Sequence, residues 1–78
     1  MRHQVLVPKI GELTESVVIS SWRCAVGDVV AVGQVLVDVE TEKVETEIPS
    51  PFAGTVTALL AATQDEVAVG EPICEVES

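Results

Sequence analysis

The side chain with the clearest chemical potential in this 78-residue sequence is the amine of Lys43, which stands in an acidic run. Carboxylates flank it at Glu40, Glu42, Glu45 and Glu47. Negative charges this close favour the protonated form of an amine, so an unmodified Lys43 is expected to be a poor nucleophile. From the residues alone, an acidic solvated hairpin and a functional lysine are equally good interpretations.

The other reactive side chains do not form a recognisable catalytic group. His3 is the only histidine and is expected to be a solvated tail residue. Ser16 and Ser50 have no histidine or lysine arranged around them in the sequence. Cys24 and Cys74 form no CxxC or metal-like cluster, so a buried thiol is favoured for Cys74 and a disulfide is the minor alternative. The sequence therefore predicts no catalytic site and no metal site.

The charge balance argues against two classes of partner. The chain has 13 acidic and 4 basic residues, a formal net charge of −9. Nucleic-acid binding requires cations that replace counterions, so nucleic acids and anionic membrane surfaces are not expected partners. No stretch is long and apolar enough to span a membrane, and the first residues read as a strand rather than a signal peptide. We therefore expect an intracellular location, cytoplasmic in a bacterium or in the mitochondrial matrix in a eukaryote.

An internal repeat organises the chain. Shifted by 37 residues, Gly27–Thr41 aligns with Gln64–Ser78, and Gly33 aligns with Gly70. We expect both glycines to adopt backbone conformations closed to other residues. The half-repeats, about 4–41 and 44–78, lie within one domain, 1–78, and each is expected to contain four strands. The clearest of these strands are predicted at Val17–Trp22, Val35–Thr41, Thr55–Leu60 and Pro72–Glu77.

Val-rich, alternating segments without helical periodicity predict an all-β fold. Two similar halves suggest two four-stranded antiparallel sheets, arranged as a flattened β-barrel or sandwich with pseudo-two-fold symmetry.

The junction of the halves predicts a hairpin whose centre is Glu42 and Lys43. Apolar and acidic residues alternate on both sides of this centre, and a one-residue slip would turn one strand inside out. Lys43 is therefore expected at the exposed tip, in a type I turn, because Glu-Lys is an unusual centre for the primed turns. The predicted cross-strand pairs are Thr41–Val44, Val39–Thr46 and Val37–Ile48 on the inner face, and Glu40–Glu45 and Asp38–Glu47 on the outer face.

The segment Asp38–Val56 resembles the attachment motif of lipoyl domains from acyltransferase (E2) components of 2-oxo acid dehydrogenase complexes, in the biotinyl/lipoyl attachment domain family. The motif has an acidic residue before the modified lysine, an alternating strand, a Pro/Gly turn and Gly-x-Val. Here these are Glu42, Lys43, Val44–Ile48, Pro49–Pro51 and Gly54–Val56. The resemblance extends over nearly the whole chain, through Pro8–Glu12 and through Trp22 with Gly27-Asp28.

The chain departs from the family pattern in its first loop. Glu12 is followed by Leu-Thr-Glu-Ser, and Val17 stands where the family often has glycine. In the family this loop helps the partner dehydrogenase to recognise its own domain. The resemblance therefore implies recognition residues in the loop and around the lysine, and structural roles for Gly33, Gly54, Gly70 and Trp22. The predicted recognition residues are Gly11, Glu12, Leu13, Thr14, Glu15, Ser16, Glu40, Glu42, Val44 and Glu45.

The resemblance implies a swinging-arm carrier with lipoate in amide linkage to Lys43. The expected partners are a thiamine-diphosphate dehydrogenase (E1), the E2 catalytic core, a flavin-dependent dihydrolipoamide dehydrogenase (E3), and a lipoate ligase or lipoyl/octanoyl transferase. The domain would be the non-catalytic part of an acyltransferase. A biotin carrier is an alternative, although its lysine usually lies between two methionines and the only methionine here is Met1. A second alternative is a cofactor-free interaction module with the same fold, which the resemblance identifies as a barrel-sandwich hybrid.

Overall fold

Strands account for all the regular secondary structure in the residues that the computed structural model describes, which are 1–10, 14–42 and 44–78. Within these ranges no helix has the length and apolar character needed to cross a membrane. Each predicted strand is present to within one residue at either end. The eight strands are β1 (Arg2–Leu6), β2 (Ser16–Trp22), β3 (Val29–Val30), β4 (Val35–Glu40), β5 (Glu45–Pro49), β6 (Gly54–Leu59), β7 (Glu66–Ala68) and β8 (Pro72–Glu77).

The strands form two four-stranded antiparallel sheets, in the orders β1-β8-β6-β3 and β5-β4-β2-β7. If each strand is replaced by its equivalent in the other half of the chain, four strands away, the first order becomes the second. This confirms the predicted pseudo-two-fold symmetry. Hydrogen bonds repeat with it: Ile19 N–H donates to the Asp65 carbonyl and Val56 N–H donates to the Asp28 carbonyl, both at 2.9 Å. The sheets face each other as a sandwich and do not close into a barrel.

Valine and isoleucine side chains from both sheets fill the space between them, as the alternating pattern predicts. One position per half departs from alternation. Leu36 and Ile73 are fully buried although the next residue along each strand, Val37 or Cys74, is buried as well. Both lie at register shifts, opposite the steps from Pro49 to Ile48 and from Leu6 to Val5. These bulges add one large apolar side chain to the core from each half.

The glycine turns also obey the symmetry. Gly33 has φ +87° and Gly70 has φ +91°, in the left-handed region that L side chains rarely adopt. The prediction for these two residues is confirmed. Each glycine amide donates to a carbonyl of the strand segment beside it, that of Ser50 at 2.8 Å and that of Val7 at 2.9 Å respectively.

The molecule measures 33 × 20 × 17 Å, and the strand pairing shows that the end of β4 and the chain ends lie at opposite ends of the sheets. Strand β1 begins beside Glu77 and leads to Val7, whose carbonyl accepts from Gly70 N–H. Val69 N–H in turn bonds to the carbonyl of Glu15, just before β2. Since β2 begins beside the end of β4, the hairpin tip lies at the end of the molecule that Val7 reaches, opposite Met1 and Ser78.

His3 is not the solvated tail residue that its position near the terminus suggested. It lies in β1 opposite Val76, half-buried, and its ring stacks on Phe52 with centroids 4.3 Å apart. His3 Nε2 is 3.0 Å from Ser78 Oγ. Because β1 pairs with β8, His3 is part of the sheet, and its imidazole packs on the ring of Phe52 instead of being fully solvated.

Candidate functional site

The hairpin formed by β4 and β5 has the predicted register. Val37 pairs with Ile48, Val39 with Thr46, Asp38 with Glu47, and Glu40 with Glu45. Val37, Val39 and Ile48 are buried, whereas Glu40 and the two glutamates of β5 are exposed. The hydrophobic alternation of the two strands therefore sets which residues of the hairpin face the core.

Lys43 itself lies outside the described residues, and so does the predicted type I turn, whose centre includes it. Both of its neighbours are described. Glu42 is exposed, and 53% of Val44 is accessible to solvent. The predicted inner-face pair of Thr41 and Val44 therefore extends past the core, with only Thr41 half-buried.

Thr41 and Val44 are joined by main-chain and side-chain bonds. Thr41 N–H donates to the Val44 carbonyl at 2.8 Å. The Thr41 hydroxyl lies 3.2 Å from that same carbonyl oxygen, and Val44 N–H donates to Thr41 Oγ1, also at 3.2 Å. Thr41 was absent from the predicted site residues. The signal that could have found it is a threonine two residues before the lysine, because threonine hydroxyls commonly bond to nearby main chain in turns.

Arg23, which directly follows β2, partly neutralises the negative charge on the outer face of the hairpin. Arg23 Nε donates to Asp38 Oδ2 at 2.7 Å. This hydrogen bond, the charge of Asp38 and that of Glu47 raise the pKa of Arg23. Among the described residues nearer the tip, a neutral donor contacts the paired glutamates: Ser20 Oγ donates to Glu40 Oε1 at 3.1 Å. Arg23 was not predicted as part of this surface, and its effect is confined to the end of the hairpin away from the tip.

The described end of the first loop, Thr14–Ser16, lies beside the end of β4. Val18 pairs with Glu40, so the start of β2 and the residues before it lie beside the end of β4. Gly11, Glu12 and Leu13, predicted for recognition, lie outside the described residues. The other three loop residues are described: Thr14 is half-buried, Glu15 is exposed, and Ser16 Oγ donates to Glu66 Oε2 at 3.1 Å. The fold thus brings Thr14–Ser16 to the same end of the sheet as Glu40, Glu42, Val44 and Glu45.

Two of the predicted structural residues, Trp22 and Gly54, hold neighbouring segments of the fold together. The indole Nε1–H of Trp22 donates to the Ala61 carbonyl at 3.0 Å, which ties the end of β2 to the loop after β6. Gly54 begins β6 against the end of β8, where a Cβ would overlap the carbonyl oxygen of Glu77. The buried Ser50 has a structural role too, because its hydroxyl accepts from Phe52 N–H at 3.2 Å and donates to the Phe52 carbonyl.

The two cysteines are buried and are not bonded to each other. Burial, followed by the charge of Cys24, raises the pKa of the Cys74 thiol to about 12. Burial and then Asp28 raise the pKa of Cys24. The buried-thiol prediction for Cys74 is confirmed, and both residues are neutral packing groups at neutral pH. Across the described ranges, no cluster of three or more His, Cys, Asp or Glu residues is arranged to hold a metal ion.

Known proteins resemble this chain in sequence. A family model for biotin and lipoyl attachment, described as "Biotin-requiring enzyme", matches residues 3–76. The acetyltransferase component of the pyruvate dehydrogenase complex from Corynebacterium glutamicum is 46% identical over 72 residues, 92% of this chain and 11% of that protein. The acyltransferase component of the branched-chain alpha-keto acid dehydrogenase complex from Bacillus subtilis is 39% identical, over 96% of this chain and 18% of its own length.

A succinyltransferase component of the 2-oxoglutarate dehydrogenase complex, from Rickettsia bellii, is 37% identical over 94% of this chain and 18% of its own length. This chain therefore spans under a fifth of the length of each of these three relatives. In structure, it superposes on the lipoyl domain of the 2-oxoglutarate dehydrogenase complex from Azotobacter vinelandii with a TM-score of 0.76 and 23% identity, covering 96% of this chain and 95% of that one. That likeness bears out the predicted fold class.

The family match covers the hairpin, the first loop and both half-repeats, which is the extent of the resemblance seen in the sequence. The resemblance is confirmed: this chain belongs to the biotin and lipoyl attachment domain family, and its relatives are acyltransferase components of 2-oxo acid dehydrogenase complexes.

Proposed function

We propose that this chain is a lipoyl carrier domain in which lipoate forms an amide with the side-chain nitrogen of Lys43. The observation that carries the proposal is the register of β4 and β5. Its last described pair is joined from Thr41 to Val44, with Glu42 and Lys43 between them in the sequence. In a two-residue hairpin these two residues form the tip. The described flanks of the lysine, Glu42 and Val44, are exposed, which suits a long group that must reach into other proteins.

Lipoate is favoured over biotin by the flanking residues and by the names of the relatives. Glu42 and Val44 stand where biotin carriers usually have methionines. The relatives from Corynebacterium glutamicum and Rickettsia bellii are named as dihydrolipoyllysine-residue transferases. Both observations point to the same group.

Attachment requires a dedicated enzyme. The amide forms when the uncharged Lys43 amine attacks the lipoyl carboxyl carbon, and the amine gives up a proton as the leaving group departs. A free carboxylate has no adequate leaving group, so the carboxyl must arrive activated, as a lipoyl adenylate that releases AMP or as a thioester that releases its carrier thiol. A lipoate ligase or a lipoyl/octanoyl transferase would supply these, with Glu40, Glu42, Val44 and Glu45 as the surface it meets.

When attached, the lipoyl group supplies a disulfide that can accept an acyl unit together with two electrons. The domain's own contribution is to hold the arm at one end of a rigid sandwich, away from the chain ends. Tethering raises the effective concentration of the arm at each active site that it visits. The proposed partners are the thiamine-diphosphate E1, the E2 catalytic core and the flavin-dependent E3, in a bacterial cytoplasm or a mitochondrial matrix.

The test is the intact mass after incubation with a lipoate ligase, lipoate and ATP. We expect the wild-type chain to gain the mass of one lipoyl group and Lys43→Arg to gain none. Lys9 is the only other lysine and is exposed, so Lys9→Arg is a matched control that should gain the same mass as wild type. A gain that persists in Lys43→Arg would refute the site. No gain in wild type would refute the lipoyl function, and a streptavidin blot of the expressed protein would then test for biotin.

The identity of the 2-oxo acid can be determined by a second assay. Relatives of the pyruvate, branched-chain and 2-oxoglutarate complexes all match this chain, with 35% to 46% identity. Reductive acylation of the lipoylated domain by each of the three E1 enzymes, with its own substrate, compares them directly. Acylation by one E1 at a rate well above the other two would assign the complex, whereas acylation by none would contradict the carrier role.

A further inference from the structure

We propose that Thr41 is a positioning residue for the modification of Lys43, acting through the main chain of Val44. This inference rests on the proposed lipoyl function. It concerns the side-chain hydroxyl of Thr41, which accepts a hydrogen bond from the main-chain N–H next to the lysine.

Thr41 and Val44, the last described residues on either side of the lysine turn that face each other, are joined by both main-chain and side-chain bonds. Facing residues of a hydrogen-bonded antiparallel pair exchange two main-chain bonds, one in each direction. Thr41 N–H donates to the Val44 carbonyl at 2.8 Å, which is one of the two. Val44 N–H donates to Thr41 Oγ1 at 3.2 Å. The threonine side chain therefore accepts a hydrogen bond from the N–H group that directly follows the lysine in the sequence.

The pseudo-two-fold axis provides an internal comparison. It relates Thr41 to Ser78 and Val44 to Met1. At that equivalent pair the main chain makes both bonds: Ser78 N–H donates to the Met1 carbonyl at 3.0 Å, and the Met1 amino group donates to the Ser78 carbonyl at 2.9 Å. The Ser78 hydroxyl is directed to His3 Nε2. The pair of Thr41 and Val44 thus differs from its symmetry equivalent, because one of its bonds uses a side-chain hydroxyl as the acceptor.

The position of this bond links it to the lysine. Val44 directly follows Lys43, and a peptide group is planar, so fixing the direction of Val44 N–H fixes the plane of the peptide that joins the two residues. Beyond the pair Glu40–Glu45, every hydrogen bond that joins the two sides of the hairpin in the described chain involves Thr41. Val44 is 53% exposed, so packing adds little restraint. Transfer to an amine requires reacting atoms held about 3–3.5 Å apart, which a loosely held tip achieves less often.

Three substitutions separate the hydroxyl from other effects. Thr41→Val removes the hydroxyl and keeps the branched shape, whereas Thr41→Ser keeps the hydroxyl and loses the methyl. Thr46→Val is the matched control, because Thr46 lies on the same face of the hairpin, opposite Val39, and its hydroxyl makes no hydrogen bond among the described residues.

The first measurement is the initial rate of lipoylation against domain concentration, by intact mass with a lipoate ligase, lipoate and ATP. For Thr41→Val we expect kcat/KM to fall about fivefold, which corresponds to about 1 kcal/mol at 1.4 kcal/mol per tenfold change. The loss should be in kcat, since the acidic surface that governs encounter is unchanged. Thr41→Ser and Thr46→Val should stay within about twofold of wild type, about half of one net hydrogen bond or less.

The second measurement does not depend on modification. Amide hydrogen exchange at Val44, followed by NMR in the unmodified domain, should accelerate several-fold in Thr41→Val and stay near the wild-type rate in Thr41→Ser and Thr46→Val. Wild-type kinetics together with wild-type exchange in Thr41→Val would overturn the inference and leave the lipoyl function intact. A rise in KM alone would place Thr41 in the binding surface and overturn positioning. An equal loss in Thr41→Ser or Thr46→Val would show that the hydroxyl is not responsible.

Failure of the proposed function has a different signature. In that case wild type itself gains no lipoyl mass, while the exchange rate at Val44 still reports whether the hydroxyl holds the tip.

Discussion

Gly54→Ala should destabilise the domain strongly, because β6 begins against the main chain of β8. A Cβ at Gly54 would overlap the Glu77 carbonyl oxygen, and it would lie 2.8 Å from the carbonyl carbon and 3.0 Å from Val76 Cγ1. Strand β8 pairs with β1 on one side and β6 on the other, so this carbonyl cannot withdraw without disturbing two ladders. The equivalent residue of the first half is Val17, whose side chain is buried in the core. The close approach, rather than the symmetry, therefore requires glycine at position 54.

The expected magnitude follows from the kind of atom that is displaced. Overpacking typically destabilises by about 1–3 kcal/mol, and the upper end applies here because main chain rather than a flexible side chain must move. In a domain of this size, about 1 kcal/mol lowers Tm by about 4–8 °C, so a loss of about 3 kcal/mol corresponds to about 12–24 °C. Gly70→Ala is the comparison: a Cβ there meets no atom within 4 Å, and only φ +91° opposes it. The left-handed conformation costs about 1–2 kcal/mol, or about 4–16 °C.

Thermal unfolding followed by far-UV circular dichroism, with Trp22 fluorescence as a second probe, measures both variants against wild type. The chain has one tryptophan, so the fluorescence reports on a single site. A Gly54→Ala domain that melts within about 4 °C of wild type, or above Gly70→Ala, would refute the steric argument.

Two further predictions follow from the symmetry and from the buried thiols. Gly27→Gln should lower Tm by no more than about 8 °C in the same melting assay, because Gln64 at the equivalent position already adopts φ +76°; a larger loss would show that the two turns are not equivalent. Burial raises the pKa of Cys74 from 9.0 to about 12, so the unfolded thiol ionises first as pH rises above 9 and stability is lost over that window. Urea unfolding at pH 8 and pH 10.5 should show a loss up to about 2 kcal/mol larger in wild type than in Cys74→Val, and equal losses would contradict a neutral buried thiol.

The fold could be predicted because two sequence signals agree. The two-residue alternation on both sides of Lys43 allows one register only, and the structure has that register from Val37–Ile48 to Glu40–Glu45. The 37-residue repeat then requires a second sheet of the same order. Both signals depend on which residues are apolar, and the burial of apolar side chains contributes most of the free-energy difference between alternative strand pairings.

The features that escaped prediction arise where local geometry overrides alternation. Leu36 and Ile73 turn inward at bulges, and no residue type in their vicinity signals a shift of register. Arg23 reaches Asp38 only because β2 lies beside β4, a neighbour relation that the hairpin sequence does not contain. The bond from Val44 to the Thr41 hydroxyl depends on a side-chain rotamer, whereas alternation distinguishes only the two faces of a strand.

The ends of the two equivalent strand pairs differ in charge. The pseudo-two-fold relates the cross-strand pair Glu40–Glu45, next to the tip, to the pair Glu77–Arg2 beside the chain ends. At the chain ends the pair has opposite charges, with Arg2 Nε 3.9 Å from Glu77 Oε2. At the tip two carboxylates face each other, which is unfavourable by a few tenths of a kcal/mol in exposed positions. Arg2 occupies the position equivalent to Glu45, so the fold does not require a glutamate there. The presence of Glu45 beside the attachment tip therefore supports the recognition role proposed for Glu40 and Glu45.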